Sequence, residues 1–438
     1  MEDNLVAIQK KILRIVRKYF LKKNSPFLKE SYFALYANSD GNQYIKDKIY
    51  KLKVNKIKKI LTENINILNN SNLKIISKNY DKKYYNNLIV TWGRNTSFSS
   101  NGSFYDRYFS TYSSSHQNTY WIILSDDKIK NKNLDNNIAI VYPHKDVTNY
   151  YKFSKIFILN FIYNIFGLKN KIIDQDLLIS KCINNFITKK KSLIKLKNLL
   201  MPYEGQLFQK RIFFKQKIKN KNLTTYGFDH SAPHSIPTQL YYTIGSPDKL
   251  LVPGLNIKKC YSKFYNWPSK KIQLSFPSRY QNFDKHNFLN KLFLPYDFTS
   301  PDKVLESIEF FLKNRKNKSI KKFSINIHPE KKYNKNHILL KKKIEKIKKK
   351  YEKKFFSNSP NNITIAVGST TTPIVALEFN LSVLHICPNP DYDAYLSYFW
   401  PDIKIKKVNK FSFLYSLKRT GTYLNFKNRN KILEIIND

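Results

Sequence analysis

The sequence predicts an α/β protein: two Rossmann-like domains facing a central cleft, with extra helices at the N-terminal end. Three observations carry this. Between Leu88 and Phe228, short apolar runs alternate with helical stretches, the pattern of βαβ units laid into a parallel sheet. The alternation restarts at Leu292-Phe293-Leu294. From Asn361 to Pro388, NNITIAVGSTTTPIVALEFNLSVLHICP sets a glycine-hydroxyl-proline turn between two apolar runs.

The elements follow in order. Residues 1–70 are helical in pattern. In the first helix Leu5, Ile8, Ile12, Ile15 and Tyr19 share a face, with Lys10, Arg14, Arg17 and Lys18 around it. Such a helix either packs into a core with its basic side solvated or lies on a membrane surface. Tyr44 to Leu68 reads as a second long helix. Strands are expected at Leu88–Trp92, Tyr120–Leu124 and Ile138–Tyr142, then helices over 149–166 and 174–194. Leu199–Pro202 and Thr224–Phe228 are the next strands, with a helix from Leu207 to Lys217 between them. Residues 231–285 are rich in Pro, Ser and Tyr and hold short strands such as Lys249–Val252. The second half begins with a strand at Leu292–Tyr296, a helix over Pro301–Asn314 and a strand at Phe323–Ile327. A long helix, His337–Phe355, carries lysine on a face expected to be solvated. Ile363–Val367 is then a strand, Gly368–Thr372 a tight polar turn and Ile374–Phe379 a short helix, with Pro373 at the first helical position and Thr372 as its cap. Ser382–Ile386 is a strand, and a last helix lies near 428–437. These elements divide into a first domain over 1–285 that includes the helical N-terminal extension, a second domain over 286–410 and a terminal segment over 411–438. No internal repeat is present.

Composition narrows the function. The 438 residues are 42% hydrophobic and 15% aromatic, enough for two cores. A net charge of +47 would ordinarily point to nucleic acid or an anionic membrane. Only 9 of the 78 basic residues are arginine, however, and Lys, Asn, Ile, Tyr and Phe are over-used together, as AT-rich coding dictates. Readers of bases and phosphates lean on Arg for bidentate contacts, so no nucleic-acid partner is expected, while an anionic membrane surface stays open. Cys182, Cys260 and Cys387 are far apart and odd in number, which fits a reducing cytoplasm rather than a disulfide or zinc framework. The start lacks a signal-peptide pattern, and the longest apolar run, Phe153–Leu168, is too short and too polar to span a bilayer. The expected location is the cytoplasm, at most peripheral at the inner face of the membrane.

Several residues could carry chemistry. Backbone N–H groups at a strand-turn-helix junction converge on one point, so Gly368, Ser369, Thr370 and Thr371 make an anion site, with Glu378 placed to reach a ribose hydroxyl. His328-Pro329 ends an earlier strand of the same half and faces the same crevice. In the first half, Tyr203-Glu204-Gly205-Gln206 and Asp229-His230-Ser231 stand at the ends of successive strands. Glu204 is a candidate general base if burial raises its pKa, or a helix-start acid; His230 is the rival base. His234 makes no helical metal pair with His230, because Pro233 lies between them. Asp106 and Arg107, in GSFYDRYF, either touch an acceptor or pin their loop by a salt bridge. Asp391-Tyr392-Asp393 has the letters of a metal-binding pair, but its neighbours favour a turn. No metal site and no cofactor is expected.

Together these stretches resemble a family of bacterial surface carbohydrate biosynthesis proteins of O-antigen and capsule clusters. The matching pieces are GSFYDRYF (Gly102–Phe109), PYEGQLFQ (Pro202–Gln209), YGFDHS with Pro237-Thr238, GSPDK (Gly245–Lys249), His328-Pro329 and GSTTTPIVALE (Gly368–Glu378). The resemblance covers roughly residues 85–390, and PYEGQ and GSTTTPIVALE are its most specific pieces. More distantly, the His-Pro and Gly-Ser-Thr pair is similar to capsule-polysaccharide, sialic-acid and glycerophosphate transferases of the two-domain GT-B type. The resemblance implies a glycosyltransferase whose second domain holds a nucleotide sugar and whose first presents a glycan or lipid-linked glycan acceptor. It implies that His328, Ser369 and Thr370 hold the donor phosphate, Glu378 the ribose, and that Glu204 is the base. The alternatives are a non-catalytic polysaccharide-assembly protein on the same fold, a nucleic-acid-binding protein, and a sugar-nucleotide epimerase.

Overall fold

The computed structural model describes residues 2–20, 73–78, 83–126, 128–129, 133–143, 154–160, 162, 175–296, 298, 300–314, 322–354, 362–428 and 431–435. The expected helix Tyr44–Leu68 lies outside them. Sixteen strands are described: β1 (Leu73–Ser77), β2 (Asn87–Trp92), β3 (Tyr105–Asp106), β4 (Thr111–Tyr112), β5 (Thr119–Leu124), β6 (Ile138–Pro143), β7 (Asn198–Pro202), β8 (Thr224–Phe228), β9 (Lys249–Val252), β10 (Ile272–Leu274), β11 (Lys291–Phe293), β12 (Ser324–Asn326), β13 (Ile363–Val367), β14 (Ser382–Ile386), β15 (Ile403–Asn409) and β16 (Ser412–Leu417). They form an eight-stranded sheet of order β1-β6-β5-β2-β7-β8-β9-β10, a six-stranded sheet of order β12-β11-β13-β14-β16-β15, and the small ribbon β3-β4. The first sheet is parallel except for β1, and the second is parallel from β12 to β14. The expected pair of Rossmann-like α/β domains is therefore present.

The parallel strands are apolar at almost every position because both faces are covered. Leu88, Val90, Tyr120, Ile122, Leu199 and Met201 bury on one face, packed with the helices Gln175–Lys189 and Leu207–Lys219 through Ile183, Phe208 and Ile212. Ile89, Trp121, Ile123, Leu200, Phe228 and Leu251 bury on the other, against Phe104, Tyr108 and Phe109. In the second sheet Leu292, Ile325, Ile365 and Leu384 meet the helices Pro301–Asn314 and Lys335–Lys350.

Two edge regions differ from expectation. β1 alternates between half-buried and exposed residues and pairs antiparallel with β6, so its signal is weak. The hairpin β15-β16 extends the second sheet to Leu417, so the expected boundary at 410 falls between two paired strands. β15 is an edge strand with Lys404, Lys406 and Lys407 along it, which hides its pattern in a lysine-rich chain.

The N-terminal helix Glu2–Phe20 is core-packed. Ile12, Leu13 and Val16 are buried in an apolar cluster shared by both domains, and Gln9 Nε2 donates to the Ala394 carbonyl at 2.9 Å. Its apolar face is thus unavailable to a membrane. Among the described residues, no helix is long and apolar enough to cross one. All three cysteines are free thiols.

The domains are stitched together. Trp400 Nε1 donates to the Ser235 carbonyl (2.9 Å), and the Ser235 hydroxyl donates to the Tyr392 carbonyl. After β16 the chain returns to the first domain: Asn256 N donates to Thr422 O (2.9 Å) and Asn425 N to Pro253 O (2.8 Å). The closing helix Ile432–Ile435 then buries Ile432 and Leu433 in the first domain's outer cluster.

Candidate functional site

In an open α/β sheet the ligand crevice lies beyond the carboxyl ends of the strands where their order reverses. The first sheet reverses between β2 and β7, and the second between β11 and β13. Glu204 follows β7, and Gly368 follows β13. Each domain places its candidate residues at its own reversal point.

The first crevice is built from the PYEGQLFQ stretch. Tyr203 is buried against Phe213 and its N–H donates to Phe228 O at 2.6 Å, extending the β7-β8 pairing. Gly205 has φ of +72°, and a Cβ there would lie 2.1 Å from the Gln239 carbonyl oxygen, so no other residue fits. Gln209 closes the turn: its Oε1 accepts from the N–H groups of Glu204 and Gln206 (both 3.1 Å), and its Nε2 donates to Pro202 O (2.6 Å). Gln206 Nε2 donates to Glu204 Oε2 at 3.0 Å. The motif is a rigid mount for one carboxylate.

That carboxylate meets His230, whose Nε2 lies 3.3 Å from Glu204 Oε1; the Glu204 side chain is 45% exposed and that of His230 only 2%. Burial pushes the Glu204 carboxyl up, but the hydrogen bond from His230 and the positive charge of Arg279 outweigh it and hold the group below its ordinary value. Burial depresses His230, against the opposing pull of Glu204. The pair is thus an ionised carboxylate and a neutral imidazole. A carboxylate only accepts, so Nε2 carries the imidazole proton. Among the described residues the Nδ1 atoms of His230 and His234 are buried without a partner, and burial depresses His234 as well. The expectation that burial would raise Glu204 is corrected: its neighbours lower it.

Tyr108 packs edge-on to His230, ring centroids 4.5 Å apart, and has two guanidiniums near it: Arg107 at 5.2 Å and Arg279 at 5.8 Å from its centroid. Asp106 does not reach the crevice. It is fully buried, its Oδ1 accepts from Tyr108 N (2.7 Å) and Phe109 N (3.3 Å), and burial raises its pKa to about 6. It holds the turn that presents Arg107 and Tyr108. Asp229 is likewise buried, accepts from the Tyr261 hydroxyl at 2.7 Å, and is raised by burial to about 7. In GSPDK, Asp248 binds Lys217 (3.0 Å) and Thr225, a scaffold role.

The second crevice holds a cavity of about 1030 Å³, lined by His328, Thr370 and Thr372 and by Lys341, Lys342 and Lys346 among others. The helix Lys335–Lys350 therefore turns part of its lysine face toward this cavity, which the reading of a wholly solvated face did not anticipate. His328 packs edge-on to Tyr296 at 5.3 Å. Gly368 has φ of +67°, as the turn requires, and its carbonyl lies 2.8 Å from Nε2 of the buried His385, which burial depresses to about 4. The helix Thr372–Glu378 is seven residues long, Thr371 occupies its cap position without a side-chain bond, and the Thr370 hydroxyl instead accepts from Thr372 N at 3.3 Å. Ser369 is exposed; it, Gly368 and Thr371 belong to the turn but do not line the cavity.

Glu378 is not free for a ribose. It is 6% exposed, and its carboxylate accepts from the N–H groups of Gly421, Tyr423 (2.6 Å) and Leu424 (3.0 Å), anchoring the returning segment. The sequence hid this because the partners lie more than forty residues away. Asp393 accepts from Asn389 N at 2.9 Å, as a turn residue does, and among the described residues no three His, Cys, Asp or Glu side chains gather as metal ligands.

One hydroxyl joins the two crevices. Tyr395 Oη lies 2.8 Å from the Pro233 carbonyl, beside His234, and 2.9 Å from that of Thr370. Tyr108, Arg279 and Tyr395 were missed by the motif reading. Arginine scarcity was a usable signal, since two of nine arginines lie near one tyrosine ring.

No family model and no curated protein matches this chain. Among solved structures it is similar to a glycosyltransferase from Rickettsia africae, with 12% identity, a TM-score of 0.35, and 73% of this chain and 89% of that one covered. It is also similar to the apo form of the lipopolysaccharide outer core galactosyltransferase WaaB, with 10% identity, a TM-score of 0.31, and coverage of 68% and 79%. Likeness at this level carries no weight for activity; the fold stands on the strand order.

Proposed function

We propose that the protein is a glycosyltransferase of surface polysaccharide synthesis that moves a sugar from a nucleotide donor to a glycan acceptor. The supporting observation is the pairing of unlike crevices: an ionised carboxylate on a rigid mount at one reversal point, and a lysine-flanked cavity of nucleotide size at the other, joined through Tyr395. The resemblance of PYEGQ and GSTTTPIVALE to surface carbohydrate proteins supports the pathway.

In this mechanism Glu204 accepts the proton of an acceptor hydroxyl, whose oxygen attacks the anomeric carbon. His230 holds the carboxylate by donating its Nε2–H. The bond from the anomeric carbon to the donor phosphate breaks, and His328, the Thr370 and Thr372 hydroxyls and the cavity lysines stabilise the departing negative charge. This assignment uses no metal, which is part of the proposal. The acceptor is a glycan, lipid-linked if the basic protein works at an anionic membrane.

A thermal-shift screen against CMP, CDP, UDP, GDP and their sugar conjugates, in EDTA, tests the reading. A selective rise in melting temperature that His328→Ala abolishes supports it, because a ligand of the folded state stabilises that state. No shift with any nucleotide, with or without magnesium, overturns it.

A further inference from the structure

The first crevice carries more positive charge than a base site needs. We propose that the acceptor is an anionic saccharide, its carboxylate or phosphate gripped by Arg107 and Arg279 beside Tyr108 and Glu204. This deepens the transferase reading and rests on it.

Arg279 is placed by its neighbours. The Ser278 carbonyl accepts from the Ser110 hydroxyl at 2.8 Å, tying the segment to the end of the loop that carries Arg107 and Tyr108. The Tyr280 hydroxyl accepts from Ala232 N at 2.9 Å, tying it to the loop that carries His230 and His234. The guanidinium is thus set between the two loops that make the crevice, and it makes no ion pair among the described residues. Arg107 is exposed and lies on the same ring.

Glu204, at the crevice, already accepts from His230 and Gln206. Asp106 and Asp229 turn inward, to their own turn and to Tyr261, and burial depresses both His230 and His234. A planar guanidinium fork matches a carboxylate or phosphate in two hydrogen bonds, which lysine does not. In a chain that uses lysine nearly everywhere, two arginines at this point select for such a group.

Calorimetric titration of the full chain at low salt tests this with three probes: methyl β-D-glucuronide, glucose 6-phosphate and methyl β-D-glucoside. The expected result is at least about tenfold tighter binding of one anionic probe than of the glucoside, lost in Arg279→Gln, reduced in Arg107→Gln and partly kept in Arg279→Lys, with melting temperatures unchanged. Whichever anion binds names the source. Equal affinity for all three probes, no binding of any, or a preference that survives Arg279→Gln and vanishes in Lys341→Gln/Lys342→Gln overturns the proposal. The probes carry no nucleotide, so failure of the nucleotide screen and failure of anion binding are read separately.

Discussion

The two crevices occupy the same topological place in their sheets, yet they are furnished differently. At the first, an imidazole and a carboxylate lie 3.3 Å apart and two guanidiniums lie near one tyrosine ring. At the second, hydroxyls, one histidine and lysine side chains surround a cavity of about 1030 Å³. Loop length accounts for much of this. The connection from β2 to β5 is long, folds back through the β3-β4 ribbon and fills its own crevice with Tyr108, whereas the chain after β11 reaches the helix Pro301–Asn314 within a few residues. Strand order fixes where the two crevices lie; the loops fix what lines them.

The sharpest break would come at Glu204. Glu204→Gln keeps the mount and removes the base, so kcat is expected to fall by about 10²–10⁴-fold while nucleotide-induced thermal stabilisation is unchanged; loss of both would mean the crevices are not separate in role.

Asp229 sharpens the contrast from the stability side. Its carboxyl is raised to about 7 in the folded protein against 3.8 unfolded, so the folded state holds the proton more tightly. Its contribution is fully present below the unfolded value and is lost as pH rises through about 7, by roughly 3–5 kcal/mol. Urea midpoints should therefore show Asp229→Asn gaining on the wild type between pH 4.5 and 7.5. No comparable slope is expected from a substitution at Thr370. A difference between wild type and Asp229→Asn that is flat with pH would place the proton elsewhere.

His328→Ala is expected to weaken nucleotide binding about ten- to a hundredfold, as the loss of a hydrogen bond to a charged group does, with kcat at saturating donor within a few-fold of wild type. A fall in kcat alone would move His328 to the reacting side. The smallest effect belongs to Glu378→Gln: about 1–3 kcal/mol of stability is lost with the carboxylate's bonds to the 421–424 backbone, and nucleotide affinity does not move. A nucleotide affinity that fell with it would restore the ribose role.

Much of the fold was legible because buried parallel strands announce themselves. β2, β5, β7 and β13 were readable as continuous apolar runs, and Gly368 with Pro373 marked the turn and the helix start. Strand order was not legible, since pairing β7 beside β2 joins residues more than a hundred positions apart. The edge strands β1 and β15 were lost to alternation and lysine. At the site, Glu204 and His230 stood out as strand-end residues, but Arg279 reaches them from a segment with no motif. Glu378 read as a ligand because its true partners, the N–H groups of 421–424, have no side-chain signature.

The returning segment also has a consequence in time. Ile432 and Leu433 close the first domain's outer cluster, over Ile89, Trp121 and Leu251, after the whole second domain has been made. A ribosome adding about 5–20 residues per second needs on the order of ten to thirty seconds to travel from β10 to that closing helix. During that interval the domain synthesised first waits with an apolar face uncovered, so its completion is timed by the arrival of residues 432–435, and a message cut short in the second half before them leaves both halves unfinished.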